Sequence, residues 1–257
     1  ARLPNFFKWT IRNRRRILIG FMGVVVLSLV GTSRIKVNNY LLEDLPKNDP
    51  LKQGFTWFEE RFGGVRPFEM EVRIPDTAGS VWDLAALQEM ERVQNYLDTG
   101  YHVSGLVSPV TVIKSLNKAF SGGDRSFYRL PDDADECARL AKRSKLLGKE
   151  LLGTIVSADG RSARISGRLV DEGGFIHKGK NEELDQFVIT HTDPDLVRFH
   201  QTGMAYLIDR NNATLSTQMI RGMGLAIFLT ALIMLWFFRD WRMVLVALVP
   251  NLVPLIF

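Results

Sequence analysis

The chain of 257 residues has one cysteine, Cys137. No internal disulfide can form, so the fold must hold by its apolar core. Histidine is scarce too. His102, His177, His191 and His200 are scattered and, with one cysteine, offer no pair at metal-ligand spacing. No metal and no cofactor is expected. The Gly-rich loop that ends in Lys-Ser or Lys-Thr and cradles nucleotide phosphates is missing. Serine, histidine and aspartate occur, but no nucleophile-elbow pattern frames a serine. Nothing here signals an enzyme, and no catalytic residue is assigned.

Charge is missing from the longest apolar run. From Met223 to Phe238 there is no Asp, Glu, Lys or Arg. Counted from Gln218, this run has about the 20 residues that a helix needs to cross a bilayer core. An earlier run, Ile17 to Gly31 (ILIGFMGVVVLSLVG), reaches the short end of that range with Thr32 and Ser33. It lacks a small-residue A-x-A cleavage site, so a retained anchor is expected rather than a removed signal peptide. A third run begins after Arg239-Asp240-Trp241-Arg242, carries Pro250 and Pro254, and is still apolar at Phe257. It reads as the start of a third membrane helix, and the chain as the N-terminal portion of a longer protein. The expected order is a basic N-terminus (1–16), a first membrane helix (17–33), a large outside domain (34–217), a second membrane helix (218–238), a turn (239–242) and the beginning of a third helix (243–257).

The distribution of charge predicts orientation. Arg2, Lys8, Arg12, Arg14, Arg15 and Arg16 precede the first run with no acid among them. Arg239 and Arg242 follow the second run. Between Arg34 and Thr217 lie 24 of the 33 Lys and Arg and 27 of the 28 Asp and Glu, a net charge of −3 in a chain of +5. Basic residues concentrate on the cytoplasmic side of membrane helices. Arg12, Arg14, Arg15, Arg16, Arg239 and Arg242 are therefore the topology signal. The N-terminus and the turn should be cytoplasmic and the domain outside. A slightly acidic domain also speaks against a nucleic-acid partner.

The domain alternates between helical and extended patterns. Leu51 to Phe62 reads as a short helix stopped by Gly63-Gly64. Val65 to Ile74 is a half-buried strand, with Phe68, Met70, Val72 and Ile74 alternating with Glu69, Glu71 and Arg73. Ser80, with Asp83 in capping-box position, should start a helix whose stripe is Leu84, Leu87, Met90, Val93 and Leu97 and whose C-terminal cap is Gly100. A second strand is expected over Tyr101 to Val107. Pro109 to Phe120 is a short amphipathic helix. Another helix, capped by Asp132 or Asp133, should run to Gly148 with Cys137, Ala134, Ala138 and Ala141 on its apolar side. Asp159-Gly160 between LLGTIVS and ARISGRLV predicts a hairpin over 150–170. A helix from Asn181 to His191 buries Leu184, Phe187, Val188 and His191, and a strand runs from Leu196 to Gln201. The chain looks helical from Met204 and should continue into the second membrane helix. Strand–helix–strand, an insert, then strand–strand–helix–strand predicts an α/β (α+β) split-βαβ, ferredoxin-like sandwich.

That order, one membrane helix, a large split-βαβ domain, a second helix and a tight turn into a Pro-containing third, comes with specific motifs. They are Asp44-x-Pro46, Asp49-Pro50, Phe62-Gly63-Gly64-x-x-Pro67, Ser157-x-Asp159-Gly160, and Phe238-Arg239-Asp240-Trp241-Arg242 followed by Leu248-Val249-Pro250-Asn251-Leu252-Val253-Pro254. Together they resemble the resistance–nodulation–division (RND) exporters, closest to the MMPL-like and hopanoid-transporter-like branch. The resemblance covers essentially the whole chain. It implies a bacterial inner-membrane transporter driven by the proton gradient, with this chain supplying the first periplasmic porter domain. It implies a lipid or bulky amphiphile as cargo, sterol-like or hopanoid-like. Proton-coupling acids of the family stand in a later membrane helix and have no counterpart here. A periplasmic lipid-carrier protein would be a partner, besides the bilayer itself, and a homo-oligomeric assembly stays open.

Two sets of residues are candidates for function. Phe55, Trp57, Phe58, Phe62 and Phe68 form an aromatic cluster that would line an apolar path for a lipid cargo, or else pack between helix and strand as core. Gly63, Gly64, Gly173 and Gly174 would be hinges, or else plain turns. His191 is expected to be structural. Two alternatives to the lipid exporter remain. One is an RND efflux protein for drugs or small amphiphiles. The other is a two-anchor sensor with a periplasmic ligand-binding domain, which should continue into amphipathic cytoplasmic helices. The immediate return to an apolar run after Arg242 favours a multi-span carrier over the sensor.

Overall fold

The computed structural model describes residue 9 and residues 12–33, 40, 42, 45–46, 48–76, 79–144 and 148–256. Arg2, Lys8, Arg34, Asp44 and Phe257, named above, lie outside them. The chain divides into two compact units, residues 38–212 and residues 1–37 with 213–257.

The unit 38–212 is a mixed α/β domain around a four-stranded antiparallel sheet. Helix α2, Pro50–Phe62, starts where the Asp49 carboxylate accepts the Leu51 N–H at 2.8 Å and ends on left-handed Gly63. Strand β1, Arg66–Arg73, follows after three residues, Gly63, Gly64 and Val65. Gly64 makes that junction: it has φ 123°, and a Cβ there would fall on the Leu169 carbonyl. Phe68, Met70 and Val72 point into the core from β1, as the alternation requires. Helix α3, Leu84–Thr99, buries Leu87, Met90, Val93 and Leu97 and leads to strand β2, Ser104–Val107. Helices α4 (Pro109–Phe120) and α5 (Ala134–Ser144) form the insert, followed by the short α6 (Lys149–Gly153). Strand β3 (Ser162–Leu169), helix α7 (Gly174–His191) and strand β4 (Arg198–Thr202) complete the domain.

The strand order is β2-β3-β1-β4. Strand β3 lies between β1 and β2 and is antiparallel to both, so the β1–α3–β2 crossover skips one strand. The β3–α7–β4 crossover likewise skips β1. One sheet face is apolar: Met70, Val72, Ala163, Ile165 and Phe199 join the helices in a single buried cluster. Each of these side chains larger than alanine contributes about 1.5–3 kcal/mol of burial. The other face is wet and carries Glu71, Arg164 and His200, with Glu69 bridged to Arg164 at 3.5 Å.

Several expectations need correction. The N-cap of α3 is Asp83, not Ser80, and the Asp83 carboxylate reaches back to the Ser80 N–H at 2.8 Å. Gly100 is the C-cap but has right-handed geometry. Strand β2 is shorter than Tyr101–Val107 because His102 sits at φ 66°, outside the extended region. Helix α5 is described over Ala134–Ser144, and residues 145–147 of its expected run lie outside the described residues; its buried face is Cys137, Leu140 and Ser144, while Ala134 and Ala138 face solvent. The hairpin keeps its turn and loses its first arm. Strand β1 occupies one edge of β3, and β2 covers its far half on the other edge. Only the start of β3 is free, where Val156 pairs with Ala163 as an isolated bridge. The preceding residues therefore coil into α6, and Ile155 and Val156 join the core. Helix α7 begins seven residues earlier than expected, at Gly174, and His191 at its end is exposed rather than buried. Strand β4 runs to Thr202.

The second unit holds helix α1, Arg14–Ser33, the greater part of helix α8, Met204–Phe238, and helix α9, Trp241–Ile256. Among the described residues one helix, α8, is long and apolar enough to cross a membrane, and none of its apolar window is buried. Its 35 residues run unbroken from the end of β4, as the sequence suggested. The break after it is narrower than the expected 239–242 turn. Only Arg239, at φ 48°, and Asp240 are non-helical, and the Asp240 carboxylate accepts the Arg242 N–H at 2.9 Å to start α9. Pro250 and Pro254 lie inside α9 rather than ending it.

Candidate functional site

The five aromatic residues do not form one cluster. Phe68 faces inward from β1, 6% exposed, with its ring 5.5 Å from that of Tyr101. It is core. Helix α2 buries none of its side chains. Phe55 is half-buried, while Trp57, Phe58 and Phe62 are exposed. Phe58 stacks on Phe62 at 4.4 Å, and Trp57 lies 6.1 Å from Phe62. The Arg61 guanidinium covers the Trp57 ring at 4.6 Å, and that of Arg168 approaches Phe58 at 5.9 Å. The helix thus carries a continuous aromatic surface that the described residues leave uncovered. Packing between helix and strand accounts for Phe68 and not for the exposed Trp57, Phe58 and Phe62.

Joined to α2 through Glu59 is a group of residues that the sequence did not announce. Arg66, the first residue of β1, is 3% exposed. Its guanidinium donates to Asp171 at 3.3 Å, to the Ala205 carbonyl at 3.4 Å, and to Asp209. Asp171 belongs to the β3–α7 connection, and its N–H donates to Glu59 of α2 at 2.7 Å. One buried cation therefore ties together the start of β1, the end of β3 and the head of α8, and Glu59 brings in α2. Two carboxylates share this one arginine. Burial outweighs the arginine at Asp209 and holds its carboxyl above the usual carboxylate range. Asp209 stands ahead of the apolar run that begins after Gln218.

His177 on α7 closes the group. It is 1% exposed, and burial, with Arg66 adding to it, pushes its pKa down to about 4. The ring is neutral at pH 7. Its Nε2 accepts the Glu172 N–H at 3.4 Å, which puts the ring proton on Nδ1. Nδ1 has no partner among the described residues. A cavity of ≈ 20 Å³ is lined by His177, Arg66, Tyr101, Asn181, Gln201 and Asp209. That is room for one water and for no organic substrate. The Tyr101 hydroxyl donates to Asn181 at 2.5 Å, and burial raises its pKa. The group can hold elements together and bind a water; it presents no nucleophile beside a base.

The remaining residues named from the sequence are spread over the chain. Gly63 caps α2, and a Cβ on it would press on Ser104. Gly173 is the N-cap of α7 and Gly174 its first residue. Gly203, which the sequence did not single out, has φ 94° between β4 and α8, where a Cβ would come within 2.8 Å of Glu69. Arg12 and Arg14 to Arg16 are exposed at the head of α1, Arg239 lies in the break before α9, and Arg242 lies in its first turn. His191 stacks on Phe187 at 4.4 Å, a structural contact on an exposed ring. His102 and His200 are exposed. Among the described residues no group of His, Cys, Asp or Glu is placed to hold a metal ion. No protein-family model and no curated protein matches the chain.

Proposed function

We propose that the chain is that of an inner-membrane RND-type transporter that exports a hydrophobic or amphiphilic lipid, sterol-like or hopanoid-like, at the expense of the proton gradient. In this reading residues 34–217 are the first porter domain, held on the periplasmic side by α1 and α8. The observation that carries it is the strand order. The order β2-β3-β1-β4, with each helical crossover skipping one strand, supports reading the sheet as that of a split-βαβ porter domain. Two further features support it. Strand β4 passes through a single glycine into the 35-residue helix with its apolar run, so the domain is built directly onto a membrane-length helix. Helix α9 follows after only two residues, which suits a multi-span carrier better than a sensor with a cytoplasmic signalling end. The exposed aromatic face of α2 supplies the apolar surface that a lipid leaving a bilayer needs on its route.

Thiol labelling tests the topology on which this reading depends. Cys137 is buried and its thiol is pushed up to about 11, so it stays silent. In spheroplasts an impermeant maleimide should label Glu182→Cys at once and Asp240→Cys only after permeabilisation. The reverse order, or equal labelling, contradicts the proposal.

A further inference from the structure

The aromatic face of α2 combines a composition and a place. Leu51, Phe58 and Phe62 recur at positions i, i+7 and i+11, with Trp57 and Arg61 beside them, and all of these side chains are exposed. Aromatic and aliphatic side chains on one face, with a basic group at its margin, make a helix that lies in the water–lipid boundary. Arg61 fits that margin, since its guanidinium covers the Trp57 ring while its tip can reach water. Gln53, Thr56 and Glu60, all exposed and polar, lie opposite the Leu51–Phe58–Phe62 stripe, and Trp57 stands at the border, lining a shallow hollow with them. The helix is capped at both ends by Asp49 and Gly63, and none of its side chains is fully buried; Lys52, Phe55 and Glu59 are half-buried.

Chain connections supply the place. Sixteen residues separate Ser33, the end of the apolar helix α1, from Pro50. Within the domain, Glu59 of α2 accepts from Asp171, Asp171 pairs with Arg66, and Arg66 pairs with Asp209 on the head of α8. Helix α2 is thus on the side of the domain where the chain leaves for the apolar run of α8. A second copy of the chain, or another protein, would need no such neighbourhood and no aromatic–arginine margin.

We propose that α2 is an interfacial helix whose Trp57–Phe58–Phe62 face docks on the surface of a lipid bilayer. The inference rests on the membrane-anchored reading and goes beyond it by naming what α2 touches. A spin label tests it on the full chain in vesicles of phosphatidylethanolamine and phosphatidylglycerol. Gly54 lies on the same face, and a Cβ there meets nothing within 4 Å, so Gly54→Cys leaves the aromatic side chains in place. Glu60→Cys reports the opposite face. The Gly54 label should be open to oxygen and shielded from a water-soluble nickel complex, and the Glu60 label the reverse. Replacing both Phe58 and Phe62 by serine should remove the shielding at Gly54. A Gly54 label as open to nickel as the Glu60 label overturns the inference. So does a Gly54 label closed to both reagents, because protein then covers the face. Alkaline extraction of the same vesicles separates the two levels. A chain that is extracted sinks the anchored reading itself, whereas a retained chain with a wet Gly54 sinks only the docking of α2.

Discussion

Replacing His177 by glutamine should change how stability depends on pH, and the direction follows from burial. In the folded chain the ring stays neutral down to pH about 4, whereas in the unfolded chain it takes up a proton near 6.5. Between these values the unfolded state binds a proton that the folded state refuses, so stability falls as pH falls. The contribution is fully present above pH 6.5, is lost progressively toward pH 4, and is flat below. A difference of 2.5 units corresponds to about 3 kcal/mol, as an order of magnitude. The assay is chemical denaturation of the full chain in detergent at several pH values, followed by near-ultraviolet circular dichroism. Other titrating groups are shared by the two proteins and largely cancel in the comparison. The wild type should lose about 3 kcal/mol relative to His177→Gln between pH 7 and pH 4. Parallel pH profiles would refute the reasoning, as would a His177 pKa near 6.5 by nuclear magnetic resonance.

Three other outcomes follow from the same geometry. Arg66→Met leaves Asp171 and Asp209 without their shared cation and should cost about 3–5 kcal/mol in the same denaturation assay. Phe68→Ala should cost about 3–5 kcal/mol, while Trp57→Ala and Phe58→Ala should stay within about 0.5 kcal/mol, because only Phe68 is in the core. Gly64→Ala combines a φ of 123° with a clash on the Leu169 carbonyl and should destabilise by at least about 1–3 kcal/mol, measured by thermal unfolding.

The sheet was legible where one strand face is apolar and the other charged. Residues 66–73 alternate without exception from Phe68 onward, and the structure places β1 there. The helices were legible from their stripes, with errors of cap and length. The lost hairpin arm shows the limit of local patterns. The Asp-Gly turn is real, but which strands flank β3 is decided by β1 and β2, far along the chain. Gly173-Gly174 looked like a chain break, so the start of α7 was missed, and His177 with it. Arg66 was missed for another reason. Its partners Asp171 and Asp209 are 105 and 143 residues away, and an arginine at a strand start reads as solvated. The aromatic cluster was visible as composition only. Which ring turns inward depends on the pleat of β1 and on how α2 is seated, and this separated Phe68 from the others.

The most direct test of the proposed export of a lipid is mass spectrometry of the lipids that co-purify with the full chain from membranes. One lipid class, polycyclic or otherwise bulky and apolar, should be enriched over bulk phospholipid. The enrichment should be lost in a folded Trp57→Ala, Phe62→Ala double variant. A co-purifying mixture that matches the bulk membrane, and does not change in that variant, would contradict the proposal.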